Sequence, residues 1–367
     1  MASAKLQLPI ALDAMGGDHA PASVIRGAAL ALVRHPGSRF LIFGNRYLLE
    51  PLLEQHPQLK NACEVVHTEQ KVAGDDKPSV AVRRGRESSM WLAIESVSKE
   101  RSCAVVSGGN TGALMAMSKL ILRTLPGVSR PAIAALFPTL RGECVMLDLG
   151  ANVESDAQDL FRFAIMGDAF ARAVLGLNRP KIGLLNVGAE ELKGREEVKQ
   201  ARDLIKFNAR DLNFHGFIEG NDIAEGTVDV VVTDGFTGNI ALKTAEGAAR
   251  LIRTYLKDGF SSSVLAQVGG VMASSALKGV RDKLDDRKRN GAMFLGLNGI
   301  SVKSHGGADA YSFCNAISVA IELVAHNINT RITQEIQRSP LPQLITAEQR
   351  DAAAASMAAA DSVKGTV

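Results

Sequence analysis

The chain has 367 residues, of which 46% are hydrophobic and 22% charged, with a formal net charge of +3. That is a globular composition, long enough for one large core or two modest ones. Acidic and basic residues are interspersed, which excludes the one-sided basic footprint of a nucleic-acid binder and still permits an acidic protein partner or an anionic lipid surface.

In chain order, short β-type runs alternate with helical patterns. Met1–Ile10 has no signal-peptide core, because Asp13 interrupts the apolar run. No stretch approaches the ~18 apolar residues of a spanning helix, so a cytoplasmic location with peripheral membrane contact at most is expected. Strands are expected at Pro9–Met15, Arg39–Asn45, Cys63–Thr68, Cys103–Gly108, Ala132–Pro138, Glu143–Gly150, Lys181–Gly188, Asn213–Gly220, Val228–Gly235 and Met293–His305. Helices are expected at Pro21–His35, Pro78–Lys99, Thr111–Thr124, Asp156–Leu177 and Arg195–Asn208. Several strands are apolar almost throughout, as strands buried on both faces are. The alternation predicts an α/β fold, a three-layer α/β/α sandwich with a Rossmann-like, mostly parallel sheet. Only four residues separate Ala132–Pro138 from Glu143–Gly150, which predicts an antiparallel hairpin inside that pattern. Residues 1–338 are read as one catalytic domain. The Pro- and Ala-rich stretch 339–367 is read as a weakly ordered tail.

The cysteines Cys63, Cys103, Cys144 and Cys314 form no CxxC pair and have no histidine at zinc-finger spacing. They read as small buried hydrophobes in a reducing compartment.

Candidate chemistry gathers at predicted strand ends. Ser107-Gly108-Gly109-Asn110-Thr111-Gly112 lies between an apolar strand and an apolar-periodic helix. Such a turn offers backbone N–H groups and a helix N-terminus to an anion, and Asn110 or Thr111 can cap the helix. A tight, well-capped turn without a ligand fits the same residues. Gly150-Ala151-Asn152, Asn186–Glu190 with Lys193, Asp234–Asn239 ahead of Lys243, and Lys303–Gly307 with His305 fall at the same kind of position. Ligands of open α/β sheets bind beyond strand carboxyl ends, so these loops are expected to share one anion site. Taken singly, Lys193 also reads as a solvated loop charge, His305 as a hydrogen-bonded turn residue and Asp234 as turn chemistry. Dinucleotide, Walker, zincin and elbow-serine patterns are absent.

Six ordered segments carry a resemblance. Asp13–Asp18, Ser107–Gly112, Leu147–Asn152, Asn186–Gly194, Asp234–Asn239 and Lys303–Gly307 resemble, in order, the signatures of the phosphate acyltransferase family called PlsX. The resemblance covers roughly residues 8–336, and Gly109 stands where many members carry Ala. It implies a fold related to phosphotransacetylases and to isocitrate and isopropylmalate dehydrogenases, and a homodimer without metal, nucleotide or other cofactor. The implied reaction joins the acyl group of acyl-[acyl carrier protein] to inorganic phosphate. The acyl phosphate then passes to a membrane glycerol-3-phosphate acyltransferase for phospholipid synthesis.

The residues accommodate that reaction. Phosphate is itself the nucleophile, so what is needed is positioning and donors aimed at the developing oxyanion. Ser107, Gly108, Gly109, Asn110, Thr111 and Lys303 are assigned to phosphate. Lys193 and Asn239 are assigned to phosphate orientation or oxyanion stabilisation, and His305 to protonating the departing thiolate. Asp13, Asn152, Asn186, Asp234 and Lys243 are assigned supporting positions.

The segment 261–286 reads as a helical hairpin broken at Gly269-Gly270, with Leu265, Val268 and Met272 on one face and Ala273, Leu277, Val280 and Leu284 on another. Arg281, Lys283, Arg287, Lys288 and Arg289 follow as a basic cluster. The hairpin fits membrane or carrier-protein contact, and equally fits packing on the core or on a partner subunit. Two rival functions are a metal- and NAD-dependent decarboxylating dehydrogenase of related fold and a non-catalytic scaffold that binds carrier protein.

Overall fold

The computed structural model describes residues 8–275, 278–279 and 285–340. Apart from Ser339 and Pro340, the expected tail lies outside these residues. Among them, β1 (Ile10–Asp13), β2 (Phe40–Gly44), β3 (Cys63–His67), β4 (Ala104–Ser107), β5 (Ala132–Thr139), β6 (Gly142–Leu147), β7 (Lys181–Leu185), β8 (Asn213–Ile218), β9 (Val230–Val232), β10 (Ala292–Leu295) and β11 (Ile300–Lys303) form one sheet. The strand order is β3-β2-β1-β4-β11-β10-β5-β6-β9-β7-β8.

The sheet is mixed and mostly parallel. β3, β2, β1, β4 and β11 form one parallel block, and β6, β9, β7 and β8 another. Between them β11–β10, β10–β5 and β5–β6 are antiparallel. Three reversals leave the two parallel blocks pointing opposite ways. The strand-end loops thus leave from both edges of the sheet rather than from one. The carboxyl ends of β1, β4 and β11 leave one edge of the sheet, and those of β6, β7 and β9 leave the other.

The central strands are buried on both faces because their residues alternate between two apolar cores. Ile10 and Leu12 of β1 enter one core, with Phe161, Phe163 and Phe170 of helix Ala157–Val174 and Phe313 of helix Ala310–Ala325. Ala11 enters the other, against Met90, Ala93 and Ile94 of helix Ser89–Ser98 and Leu114 and Met117 of helix Thr111–Leu122. Helices thus cover both faces, and each fully buried Phe contributes about 1.5–3 kcal/mol.

Two other expectations change. The single strand expected over Met293–His305 is the antiparallel pair β10 and β11, turned at Gly296–Gly299, where Gly296 takes a φ of +88° that disfavours a side chain. The single helix expected over Pro78–Lys99 is two, Pro78–Arg84 and Ser89–Ser98. Gly85 ends the first, and Ser88 caps the second by accepting from the Trp91 amide at 3.2 Å. The hairpin β5–β6 forms as expected, closing at Thr139 and Gly142.

The long helix Gly235–Ser261 and the helix Val264–Met272 make the helical hairpin. Its bend is at Ser262-Ser263 rather than at Gly269-Gly270. Ser263 Oγ caps the second helix by accepting from the Ala266 amide at 3.1 Å. The glycines sit inside that helix, where Gly costs about 1 kcal/mol but does not break it. A Cβ on Gly270 would stand 3.0 Å from the Phe260 ring, so the second helix lies close against the first. Leu265 and Met272 are 82% and 83% exposed, which removes packing on this chain's own core as an explanation for them. Leu277, Val280, Arg281, Lys283 and Leu284 lie outside the described residues. Of the expected basic cluster, Arg287 is paired with Asp285 at 2.7 Å and Asp309 at 3.1 Å, and Arg289 with Glu143 at 2.8 Å.

Candidate active site

Three adjacent parallel strands end at Asp13, Ser107 and Lys303, and pairing places both Asp13 and Lys303 opposite Ser107. Ser107 Oγ donates to Asp13 Oδ2 at 2.6 Å and accepts from the Gly109 amide at 3.0 Å. Ser89 Oγ donates to the other carboxylate oxygen, also at 2.6 Å. Asp13 is buried, and that burial raises its carboxyl above the ordinary carboxylate range against the pull of the two serines. This carboxylate clamp fixes the glycine turn. Gly16 lies under it, where a Cβ would stand 2.7 Å from the Gly109 nitrogen.

Asn110 caps helix Thr111–Leu122, accepting from the Ala113 amide at 2.9 Å and donating to the carbonyls of Gly74 and Asp76 at 2.7 and 3.1 Å. Ser107 and Asn110 therefore hold the turn's shape, with their donors already used. The first-turn amides of the helix, including those of Thr111 and Gly112, have no intrahelical acceptor and point along the positive end of the dipole. Beside them Lys303 Nζ stands 3.4 Å from the Gly108 carbonyl oxygen and donates to that of Ser304. Burial lowers this ammonium to about 8 from an ordinary 10.5, with Asp13 and Asp18 opposing the shift and Lys243 adding to it. His305 is exposed, and its Nδ1 accepts from the Gly307 amide at 3.1 Å, so the neutral ring carries its proton on Nε2.

The second group lies at the ends of β6, β7 and β9. Asp148 is buried and accepts from the amides of Ile133, Gly150, Ala151 and Asn152 and from Asn152 Nδ2, all within 3.2 Å. Asn152 also donates to the Pro131 carbonyl at 2.8 Å. Asp234 caps helix Gly235–Ser261 through the Thr237 amide and hydroxyl at 2.8 and 3.0 Å and is held by Arg195. Asn239 and Lys243 follow one turn apart on one helix face. Asn239 is exposed and sits against Gly150, where a Cβ would meet its Cβ at 3.5 Å. Asn186 closes its loop by donating to the carbonyls of Gly188 and Lys193 at 3.1 and 3.0 Å. Lys193 is exposed and pairs with Glu190 at 2.7 Å, which raises the ammonium and lowers the carboxylate.

The structure thus gathers Asp13, Ser107–Thr111, Lys303 and His305 in one group. Asn152, Asn186, Lys193, Asp234 and Asn239 stand at the ends of the opposed block. Lys243, paired with Glu246 at 2.8 Å, is close enough to Lys303 to depress it, and so links the two groups electrostatically. Ser89 and Asp148 were missed as site residues. Ser89 is far from the glycine turn in sequence and carries no motif, whereas Asp148 lies within Leu147–Asn152 but reads there as a strand-end acid.

A family model described as fatty acid synthesis protein matches residues 8–331. The chain belongs to that family. Similar relatives named phosphate acyltransferase occur in Paramagnetospirillum magneticum, 56% identical over 90% of this chain and 94% of the relative, and in Rhodospirillum centenum, 57% identical over 90% and 93%. Among solved structures, a phosphotransacetylase from Streptococcus pyogenes superposes with a TM-score of 0.57 at 17% identity, covering 88% of this chain and 98% of that one. The EutD phosphotransacetylase from Staphylococcus aureus gives 0.54 at 16%, covering 87% and 93%. At such identity the likeness speaks for the fold alone. The family match spans both groups of loops and the hairpin.

Within this family frame the residue choices at the turn become physical. A Cβ on Gly109 would meet the terminal methyl of Met90 at 2.5 Å, so Ala fits there if that flexible end moves. Gly16 has no such freedom, since its neighbour is backbone. Burial pushes the Cys144 thiol up to about 12 and Cys63 to about 11, far from thiolate nucleophiles. Among the described residues, no cluster of three or more His, Cys, Asp or Glu is placed to hold a metal.

Proposed function

We propose that the chain transfers a fatty acyl group from an acyl-[acyl carrier protein] thioester to inorganic phosphate, supplying acyl phosphate for phospholipid synthesis. One observation carries the reading. The half-buried Lys303 ammonium stands beside a helix-opening glycine turn, in a chain 56% identical to a protein named phosphate acyltransferase. An anion held there is met by a positive charge and by first-turn amides. A phosphate oxygen attacks the thioester carbonyl carbon. The new C–O bond forms, the C–S bond breaks, and the electron pair leaves on sulfur, which takes a proton to become the carrier thiol. Nε2 of His305 is the proposed proton source. Gly108, Gly109 and Thr111 form the phosphate cradle, shaped by Ser107, Asn110 and Asp13. Asn239, whose amide is uncommitted among the described residues, and Lys193, once it leaves Glu190, are proposed to steady the oxyanion. Purified protein incubated with acyl carrier protein thioester should release thiol only when phosphate is present, and hydroxylamine should trap the product. Equal release without phosphate would make the protein a thioesterase and end this reading.

The wider setting belongs to the same proposal. The continuous sheet is read as one catalytic domain, with a fold kinship to isocitrate and isopropylmalate dehydrogenases. The protein is read as a cytoplasmic homodimer that hands its product to a membrane glycerol-3-phosphate acyltransferase. No helix among the described residues is long and apolar enough to cross a membrane. Peripheral contact is assigned to the tip of the helical hairpin, where Val264, Leu265, Val271 and Met272 are 75–83% exposed. Leu265→Glu with Met272→Glu should stop sedimentation with anionic liposomes and leave turnover of dissolved thioester unchanged. Sedimentation that survives the change removes the hairpin as the anchor, and a shift from dimer to monomer assigns the face to the partner subunit.

A further inference from the structure

The cations around the two groups of loops are mostly spent. Lys193, Arg195, Lys243, Arg287 and Arg289 each have a carboxylate partner. One cationic run beside the glycine turn is different. From Lys77 to Arg86 the chain carries Lys77, Arg83, Arg84 and Arg86 and no carboxylate. All four are exposed, and none has an ion-pair partner among the described residues. Arg83 Nε reaches only the Ser79 carbonyl at 3.3 Å, and the Arg86 guanidinium lies over the Trp91 ring at 5.8 Å.

The run is attached to the anion turn. Helix Pro78–Arg84 packs on the start of helix Thr111–Leu122, and a Cβ on Gly112 would stand 2.7 Å from Pro78 Cγ. Asn110, the cap of that second helix, ties the preceding loop through the carbonyls of Gly74 and Asp76. At the other end a Cβ on Gly85 would lie 2.9 Å from the Met117 methyl. Lys77 therefore sits beside the first turn of helix Thr111–Leu122, and Arg83, Arg84 and Arg86 follow where the run meets Met117, further along that helix.

We propose that Lys77, Arg83, Arg84 and Arg86 form the docking surface for the acidic carrier protein that presents the thioester. This rests on the acyl-carrier reading above. Unpaired cations on a protein surface are a complement to an acidic partner, and they act on encounter and orientation more than on chemistry. The surface fits a protein better than a membrane, because no large apolar side chain is exposed between Leu48 and Leu120. A lipid-binding face needs apolar residues to insert beside its cations. The near end of the surface, Lys77, follows the Gly74–Asp76 loop that Asn110 holds, so a carrier docked on these cations lies along the helix that opens at the turn.

The test uses the full chain and two variants, Arg83→Glu/Arg84→Glu/Arg86→Glu and the milder Arg83→Gln/Arg84→Gln/Arg86→Gln. Binding of labelled acyl carrier protein is measured by fluorescence anisotropy, and KM and kcat by phosphate-dependent thiol release. The charge reversal should weaken carrier binding and raise KM for the carrier by about tenfold or more, with kcat within about twofold. The Gln variant should lie between, and the salt dependence of KM should flatten in both. Unchanged binding and KM overturn the proposal. Loss of kcat with binding unchanged also overturns it, since the helix then serves only to support the turn. Salt-sensitive sedimentation with anionic vesicles that the reversal abolishes, without effect on carrier binding, assigns the face to lipid instead. Wild-type protein that binds carrier through these residues but releases no thiol with phosphate defeats the reaction and leaves the surface standing.

Discussion

Lys303→Gln is expected to lower turnover by about 10²-fold or more, the range for removing one preorganised charge from developing negative charge. The ammonium is held by its position at the end of β11, opposite Ser107, and donates to the Ser304 carbonyl. Its fold-imposed value of about 8 sets a pH signature. As pH rises through about 8 the free site loses its charge, so KM for phosphate should climb about tenfold per pH unit above that point. Bound phosphate favours the protonated amine, so kcat should hold its value to higher pH than kcat/KM. The sign for stability runs the other way. Lys303 titrates lower folded than its ordinary 10.5, so between about 8 and 10.5 the unfolded chain binds more protons and stability rises with pH. Below about 8 the half-buried charge is a constant burden. Lys303→Gln should therefore be at least as stable as wild type at neutral pH while nearly inactive, which separates loss of function from loss of fold. An alkaline limb that persists in Lys303→Gln, or turnover near normal, would remove Lys303 from the anion site. Lys193→Ala is a useful contrast, because Lys193 is exposed and paired with Glu190. Its loss tests the oxyanion role without shifting that limb.

The contrast between the two lysines shows what the sequence could and could not carry. Strand–helix alternation was readable because β9 is apolar throughout and β1 and β4 are apolar up to their last residue, and the β5–β6 hairpin because its linker is short. The family resemblance was readable because its motifs sit at strand ends, where backbone geometry restricts residue choice. Strand direction was not readable. Whether β10 and β11 are one strand or two turns on Gly296-Leu297-Asn298-Gly299, and a one-strand reading gives the second block the wrong orientation. Nor could the sequence show that Ser107 and Asn110 spend their donors inside the turn. That depends on Asp13 and on the Gly74–Asp76 loop, which are distant in the chain and carry no local period. Ser89 was invisible for the same reason: only the packing of its helix against β1 brings its hydroxyl to the carboxylate.

Asp148→Ala should be the most damaging single change among the polar residues of either group. The carboxylate accepts from four backbone amides and from the Asn152 side chain inside the protein. Burial raises its own carboxyl, yet the four backbone amides have no other acceptor among the described residues, and Asn152 Nδ2 would keep only the Pro131 carbonyl. Leaving a buried donor unmade costs about 1–3 kcal/mol each, and the set predicts a loss of roughly 4 kcal/mol or more even if water enters to satisfy some of them. Asp148→Asn is milder but not neutral. It can keep an acceptor for Ile133, Gly150 and Ala151, but places an NH₂ against two donors of Asn152. The damage should spread along a definite path. Asn152 anchors to Pro131, and Gly150 provides the surface on which Asn239 rests, so loosening the loop frees the helix N-terminus that carries Asn239 and Lys243. Thermal unfolding followed by calorimetry should show Asp148→Ala well below Asp148→Asn, and both below wild type. Turnover measured well below each melting temperature should fall with them, because Asn239 loses its seat. A melting temperature for Asp148→Ala within about 2 °C of wild type would mean that the five donors find other acceptors. Retained turnover despite a large drop in stability would show instead that Asn239 keeps its place through Asp234 and its own helix.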